Sequence, residues 1–230
     1  LDSVDSVRYF ISGGAPLGLD LARGFALKFG RPVLEGYGLS EASPVVSVNL
    51  PHKVKVGSIG PTIAHVKAKI INAHGEEVPH FERGELLVKG PNVMLGYLNL
   101  PDATAKAIEK DGWLHTGDVG YMDEDGFIFL VDRVKDMIIS SGENVYPREI
   151  EEVVSAYPGV AECSVIGIPD ALRGQAICLY VVPREGETID KKALRQYLIG
   201  RIAPYKVPRE YFLVESLPKT ALGKVRKNVL

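Results

Sequence analysis

A disulfide framework is excluded at the outset, because the 230 residues hold two cysteines, Cys163 and Cys178, in apolar stretches without CxxC spacing. A reducing compartment suits such a chain. Long apolar runs are missing too: the longest, Ala176 to Val182, falls far short of the ~18 residues that cross a bilayer. No basic stretch followed by an apolar one opens the chain. The expectation is a soluble, cytoplasmic protein with no transmembrane segment. Neither sign of charge is in excess, with Lys+Arg 27 against Asp+Glu 29 and a formal net charge of -2, which removes nucleic-acid binding as the default. The five histidines (His52, His65, His74, His80 and His115) show no ligand spacing with one another or with the cysteines, so no transition-metal site is assigned. There is no nucleophile elbow, internal repeat or low-complexity segment.

Glycine is abundant instead, 24 of 230 residues against a usual share near ~7%. Many turns and close backbone approaches are therefore expected, and with them a ligand. An apolar run (Val7 to Ser12), a helical pattern (Leu21, Ala22, Phe25, Phe29, stopped by Gly30) and a second run (Pro32 to Leu34) follow at βαβ spacing. From Val54 to Asp132 short strands alternate with Gly, Pro, Asn and Asp, which predicts an antiparallel sheet or small barrel. Beyond Met137 come a helix at Pro147 to Tyr157, strands at Val160 to Ile168 and Ala176 to Val182, and a helix at Asp190 to Ile202. The expected fold class is α/β and α+β: the end of an α/β layered domain with a small antiparallel β-barrel, then a compact α+β C-terminal domain. Domains are expected at 1–132, divided into 1–53 and 54–132, and at 133–230. The chain begins at Leu1 without a methionine, and an N-terminal part of a longer protein is expected to be missing.

Gly36-Tyr37-Gly38-Leu39-Ser40-Glu41 follows the second apolar run. Its glycines let backbone approach a ligand and Tyr37 can stack on a flat base; the competing reading is a plain strand-ending turn. It is no Rossmann fingerprint, since Glu41 stands where the third glycine is required. His115-Thr116-Gly117-Asp118 precedes a strand and sets a carboxylate in a glycine-flanked turn, fit either for both hydroxyls of a ribose or for its own turn amides. Asp123-Glu124-Asp125-Gly126 reads as a hairpin turn and not a calcium loop. Ser140-Ser141-Gly142-Glu143-Asn144 is either a phosphate or backbone cradle or a loop into a capped helix. Pro218 to Lys224 fails as a P-loop, because Pro218 occupies the first glycine and Val225 the Ser/Thr position. Residues 201–230 carry Arg201, Lys206, Arg209, Lys219, Lys224, Arg226 and Lys227 against Glu210 and Glu215, a solvated basic face or an anion contact.

Taken together and in order, Ser12-Gly13-Gly14-Ala15-Pro16, Gly36 to Glu41, Gly112-Trp113-Leu114-His115-Thr116-Gly117-Asp118, Asp132-Arg133-Val134-Lys135-Asp136, Ser141 to Glu151 and Gly223-Lys224 resemble the adenylate-forming superfamily of acyl-CoA synthetases, luciferases and adenylation domains. The resemblance covers essentially the whole chain. It implies a two-step acid–thiol ligase: a carboxylate and ATP give acyl-AMP and pyrophosphate, and the thiol of coenzyme A then displaces AMP. By the same resemblance Gly14, Ala15 and Pro16 with Gly36, Tyr37, Gly38 and Leu39 frame the adenine, Ser40 touches phosphate and Glu41 binds Mg²⁺. Ser40 stands where many relatives have Thr, and the hydroxyl is kept. Asp118 takes the ribose hydroxyls with support from Arg133, and Lys224 reaches the α-phosphate. Lys135 lies at the hinge of a C-terminal domain that rotates between half-reactions, and Ser141, Gly142 and Glu143 lie on the coenzyme A path.

Gly142-Glu143-Asn144-Val145-Tyr146-Pro147 resembles the fatty-acyl ligase version of its loop, where peptide-synthetase domains read Gly-x-Arg-Ile-Glu. A fatty acid is therefore the first substrate expected. The superfamily's upstream phosphate loop, rich in Gly, Ser and Thr with a Lys, is absent from these residues, so the resemblance implies a C-terminal portion of the enzyme, inactive alone. Expected partners are a small-molecule carboxylic acid, the missing N-terminal part of the same protein and a second copy of the chain, because a lone βαβ unit exposes apolar surface. The alternatives are an adenylation domain that loads a carrier protein and a non-catalytic interaction fragment with a basic tail.

Overall fold

The computed structural model describes residues 4–15, 17–221 and 223–230. The chain divides into two compact units, Leu1–Val131 and Asp132–Leu230. Among the described residues no helix is long and apolar enough to cross a membrane.

The first unit opens with β1 (Phe10–Ser12), α1 (Leu19–Phe29), β2 (Val33–Gly38) and β3 (Val45–Val48). Helix α1 carries Asp20 in its first turn and Lys28 in its last, matching the helix dipole, and Gly30 ends it at φ 66 with its N–H returned to the Ala26 carbonyl. Phe10 packs on Phe25, which packs on Phe29, with ring centroids 4.9 and 4.4 Å apart. β1 runs parallel to β2, and β2 antiparallel to β3. Ile11 and Leu21 stand 70% and 65% exposed, so this small parallel layer keeps an uncovered apolar face.

β4 (Lys67–Ile71), β5 (Gly84–Lys89), α2 (Pro101–Ala107), β6 (Leu114–Met122) and β7 (Ile128–Arg133) follow. The barrel expected here is an open sheet in the order β4-β5-β6-β7. Four strands are too few to close around a packed interior. Irregular chain covers the edges instead. The Ile59 N–H donates to the Ile128 carbonyl (2.9 Å) on the β7 side, and the Ile63 N–H to the Val46 carbonyl (3.0 Å), which ties that edge to β3. On the other side the Val78 N–H donates to the Ile70 carbonyl (3.0 Å). Ala42, Val46, Val66, Ile70, Leu86, Val88, Leu114 and Ile128 share one core, so the Ser40–Ala42 turn is anchored in the same apolar cluster as β4, β5, β6 and β7.

The second unit is built from β8 (Ile138–Ser140), β9 (Glu143–Val145), α3 (Pro147–Ser155), β10 (Val160–Asp170), β11 (Gly174–Pro183), α4 (Lys191–Leu198) and β12 (Glu210–Leu213). β11 is central, antiparallel to β10 and parallel to β12. Ile150 and Val154 of α3 and Leu194 and Leu198 of α4 are wholly buried against Val165, Ile177 and Leu179 of the sheet. The Asp190 carboxylate caps α4 by accepting the Lys192 N–H (2.8 Å). Helix α3 is capped from a distance: Asp132 accepts the Arg148 N–H (2.9 Å) with one oxygen and the Arg133 N–H (2.8 Å) with the other. One carboxylate therefore fastens the start of this unit to the N-terminus of its first helix.

Cys163 lies within hydrogen-bond reach of the Ser155 hydroxyl and the Glu151 carbonyl (3.5 and 3.4 Å), and burial pushes its thiol from 9.0 up to about 11. A raised acid contributes stability below its unfolded pKa, and that contribution is lost as pH climbs from about 9 to about 11. At pH 8 iodoacetamide is expected to label Cys163 about 100-fold more slowly in the folded chain than in urea, read peptide by peptide by mass spectrometry. Equal rates in the two states would contradict the burial argument.

Candidate functional site

The pairing of Ser12 with Glu35 brings the Gly13-Gly14 turn beside the end of β2. A Cβ on Gly13 would lie 3.2 Å from the Gly36 carbonyl oxygen, so the two glycine-containing segments are in backbone contact. Ala15 follows in this turn, whereas Pro16 lies outside the described residues. Gly36, Tyr37 and Gly38 do not follow a strand as expected. They are its last three residues, paired across to Val48, Ser47 and Val45. Crowding by protein explains their small size: a Cβ on Gly38 would stand 1.9 Å from the Pro44 carbonyl oxygen, and one on Gly36 3.3 Å from that of Ser47. Gly14, at φ +81 with nothing within 4 Å of a built Cβ, borders open space.

After Leu39 the chain makes the 3-10 turn Ser40–Ala42, and the 92–97 stretch clamps it three times. The Asn92 amide donates to the Ala42 and Val45 carbonyls (3.0 and 2.9 Å), the Met94 N–H to the Glu41 carbonyl (2.8 Å), and the Tyr97 hydroxyl to the Glu41 carboxylate (2.9 Å). That last bond raises the Tyr97 pKa above its ordinary value, because the phenol proton is held on an anion. Sequence reasoning missed Tyr97 and Asn92. Nothing in their immediate neighbours marks them, since both act on a turn some fifty residues away.

Asp118 was expected in a turn ahead of a strand; it lies inside β6 and is buried. Glu85 of β5 pairs with Val119 and Leu87 with His115, so β5 sets the single residue Leu86 opposite Thr116, Gly117 and Asp118. The surplus makes β6 bulge, and Gly117 takes φ 70 at its apex. Inside the bulge the Thr116 hydroxyl donates to the Leu86 carbonyl (2.7 Å) and accepts the Asp118 N–H (3.1 Å). The Tyr37 hydroxyl donates to the Asp118 carboxylate. This bond joins the glycine-flanked end of β2 to the β6 bulge. A carboxylate thus stands at the hydroxyl of an aromatic side chain, an arrangement able to take a diol next to a flat base.

The remaining expected residues belong to the second unit, where Arg133 ends β7 with its N–H on Asp132. Lys135 is exposed in the 3-10 turn Val134–Asp136. Ser141 (φ 55) and Gly142 (φ 83) form a two-residue hairpin turn between β8 and β9, with Glu143 opposite Ser140. The segment expected as a cradle or a helix-leading loop is therefore a tight β-turn with an exposed tip. Lys224 is exposed, and its carbonyl accepts the Thr220 N–H (2.8 Å). The basic tail is less available to anions than its composition suggests. Lys206 is bound by both oxygens of Glu149 (2.7 and 2.8 Å), Lys227 by Glu151 (2.8 Å) and Lys219 by Glu162 (2.5 Å). Among the described residues no carboxylate is paired with the Lys224 ammonium.

Comparison with known proteins gives matches along most of the chain. The family model described as AMP-binding enzyme matches residues 2–98, and that described as AMP-binding enzyme C-terminal domain matches residues 149–224. A long-chain-fatty-acid–CoA ligase of Bacillus subtilis strain 168 is 44% identical over 229 residues, 99% of this chain and 41% of the relative. A feruloyl-CoA synthase of an Amycolatopsis species is 44% identical over 226 residues, 97% of this chain and 46% of the relative. The solved structure of o-succinylbenzoate CoA synthetase from Bacillus subtilis, in complex with its acyl-adenylate intermediate, matches with a TM-score of 0.90 at 36% identity, over 98% of this chain and 46% of that one. The chain spans less than half the length of these proteins.

Proposed function

Because the chain belongs to the AMP-binding enzyme family of adenylate-forming enzymes, we propose that it handles the adenylate in an AMP-forming acyl-CoA ligase. A carboxylate oxygen attacks the α-phosphorus of ATP and pyrophosphate leaves. The sulfur of coenzyme A then attacks the acyl carbon, its proton is lost, and AMP departs with the former carboxylate oxygen. Activation is needed because a carboxylate resists nucleophiles until one of its oxygens becomes a good leaving group. The observation that carries the reading is the bond from Tyr37 to Asp118, which sets a diol acceptor against the aromatic end of the Gly36-Tyr37-Gly38 strand.

In this reading Gly14, Ala15, Pro16, Gly36, Tyr37, Gly38 and Leu39 border the adenine, Asp118 takes the ribose with Arg133 in support, and the Ser40 hydroxyl meets phosphate. Lys224 meets the α-phosphate, Lys135 is the pivot, and Ser141, Gly142 and Glu143 border the thiol's path. Glu41 suits Mg²⁺. Among the described residues no cluster of three His, Cys, Asp or Glu side chains is poised for a metal, and Mg²⁺ needs none when one carboxylate shares it with substrate phosphates. When bound, Mg²⁺ would neutralise phosphate charge, while Tyr97 holds the Glu41 carboxylate in place. Fatty acid is the proposed substrate, supported by the relative from Bacillus subtilis; the equally identical feruloyl-CoA synthase makes an aromatic acid the alternative to test.

The test is ATP–pyrophosphate exchange by the protein that carries this chain, over fatty acids of increasing length and ferulate. Exchange is expected with fatty acids, and Asp118→Ala is expected to weaken AMP binding at least about tenfold through loss of charge-assisted bonds. Exchange with no acid, together with salt-dependent nucleic-acid binding, would favour an interaction fragment.

A further inference from the structure

Asp118 is held by a residue that touches neither adenine nor phosphate in the reading above. Glu85 places an acid immediately before the apolar run Leu86-Leu87-Val88, its side chain 22% exposed. One of its oxygens accepts the Gly117 N–H at 3.1 Å, the amide at the apex of the β6 bulge. The other meets His115 Nδ1 at 3.0 Å, and the far nitrogen of that ring lies 3.3 Å from Glu109. A bulge amide has lost its ladder partner, and here a carboxylate fixed at both oxygens replaces it. Removing that acceptor would leave Gly117 free to leave φ 70, and Asp118, next in sequence, would swing with it.

We propose that Glu85, oriented by His115, is a positioning residue for nucleotide recognition: it locks the β6 bulge so that the Asp118 carboxylate faces the ribose diol. The proposal rests on the nucleotide reading of Asp118. It makes the affinity for a ribose, and not for adenine or phosphate, depend on a side chain of the neighbouring strand. Gln keeps a carbonyl oxygen for the Gly117 N–H, whereas Ala keeps nothing, so the pair Glu85→Gln and Glu85→Ala separates the acceptor from the charge.

Two readouts test it. Amide hydrogen exchange of the 230-residue chain needs no ligand: Glu85→Ala is expected to speed exchange at Gly117 and Asp118 at least about tenfold, with Glu85→Gln near wild type. Unchanged exchange in Glu85→Ala overturns the lock. The second is the ratio of affinities for AMP and 2′,3′-dideoxy-AMP in the protein that carries this chain. Glu85→Ala is expected to weaken AMP about tenfold and to leave the dideoxy nucleotide unchanged, with Gln restoring the preference. Equal weakening of both nucleotides means a merely structural role and overturns the proposal. Asp118→Ala separates the two failures. If it abolishes the ribose preference while Glu85→Ala does not, positioning is wrong and the nucleotide reading stands. If Asp118→Ala leaves the preference intact, the nucleotide reading falls and the proposal with it. Should Glu85→Ala not fold, Thr116→Val, which removes the acceptor of the Asp118 N–H, carries the same comparison with Thr116→Ser as its rescue.

Discussion

Lys224→Ala is expected to lower acyl-adenylate formation by about 100- to 1,000-fold, the size of effect seen when one charge-stabilising group is taken from a transition state. Transfer of a supplied acyl-adenylate to coenzyme A is expected to change little. The backbone around Lys224 is pinned while its side chain is uncommitted. The Thr220 hydroxyl accepts the Lys224 N–H (3.2 Å), Lys219 bridges to Val225, and Gly223 turns the chain at φ 80. Adenylation must bring a carboxylate onto the α-phosphorus against the repulsion of two anions, which a delivered ammonium offsets. Thioester formation begins from an acyl-adenylate, in which that repulsion has gone. The two half-reactions are measured separately, as pyrophosphate exchange and as coenzyme A-dependent consumption of added acyl-adenylate. Equal loss in both would remove the assignment of Lys224 to the first step.

The largest stability effect is expected at Gly38. Its substitution by alanine would drive a methyl to 1.9 Å from the Pro44 carbonyl oxygen and 2.8 Å from its carbon, both main-chain atoms that cannot rotate away. The same oxygen accepts the Leu39 N–H (2.9 Å), so relief of the clash opens the β2–β3 connection and disturbs the Ser40–Ala42 turn. We expect a loss of about 4 kcal/mol or more, in the exceptional range for a single substitution. Trp113, the single tryptophan, lies in the first unit and reports its urea unfolding. Gly14→Ala is the control: its Cβ meets nothing within 4 Å, so it should cost only the left-handed penalty of about 1–2 kcal/mol. Similar costs at the two positions would show that crowding at Gly38 has been misjudged.

These glycines mark where local reading reached its limit. Gly30 and Asp190 were legible as helix punctuation because each acts within its own turn of chain, through a left-handed cap and a side chain two residues from its target. The parallel β1–β2 pair was legible from the βαβ spacing, and the hairpin at Asp123 to Gly126 from its turn residues. Gly36 and Gly38 were read either as glycines that let backbone approach a ligand or as a strand-ending turn, yet they are small because protein backbone crowds them, and no residue adjacent in sequence carries that information. Asp118 was singled out as a carboxylate but assigned to a turn, since the bulge that holds it exists only when β5 supplies a shorter partner. The expected barrel failed for a similar reason: how many of the short strands join one sheet is set by the pairing, and here it is four, too few to close. Glu85 and Tyr97 left no local trace beyond a polar residue out of pattern, because both act across pairings set by the fold.

The three ion pairs of the C-terminal tail change how that segment meets a polyanion. Binding to nucleic acid or an anionic membrane draws its strength from releasing condensed counterions, roughly one for each phosphate neutralised. Lys206, Lys219 and Lys227 already hold Glu149, Glu162 and Glu151, and would have to surrender a carboxylate before displacing any ion from a phosphate chain. Arg201 is committed as well, its guanidinium stacked on the Tyr197 ring at 3.9 Å. The segment therefore gains little from long-range attraction to an extended polymer. The Lys224 ammonium, exposed beside a turn, is suited to a ligand with one anionic centre to meet.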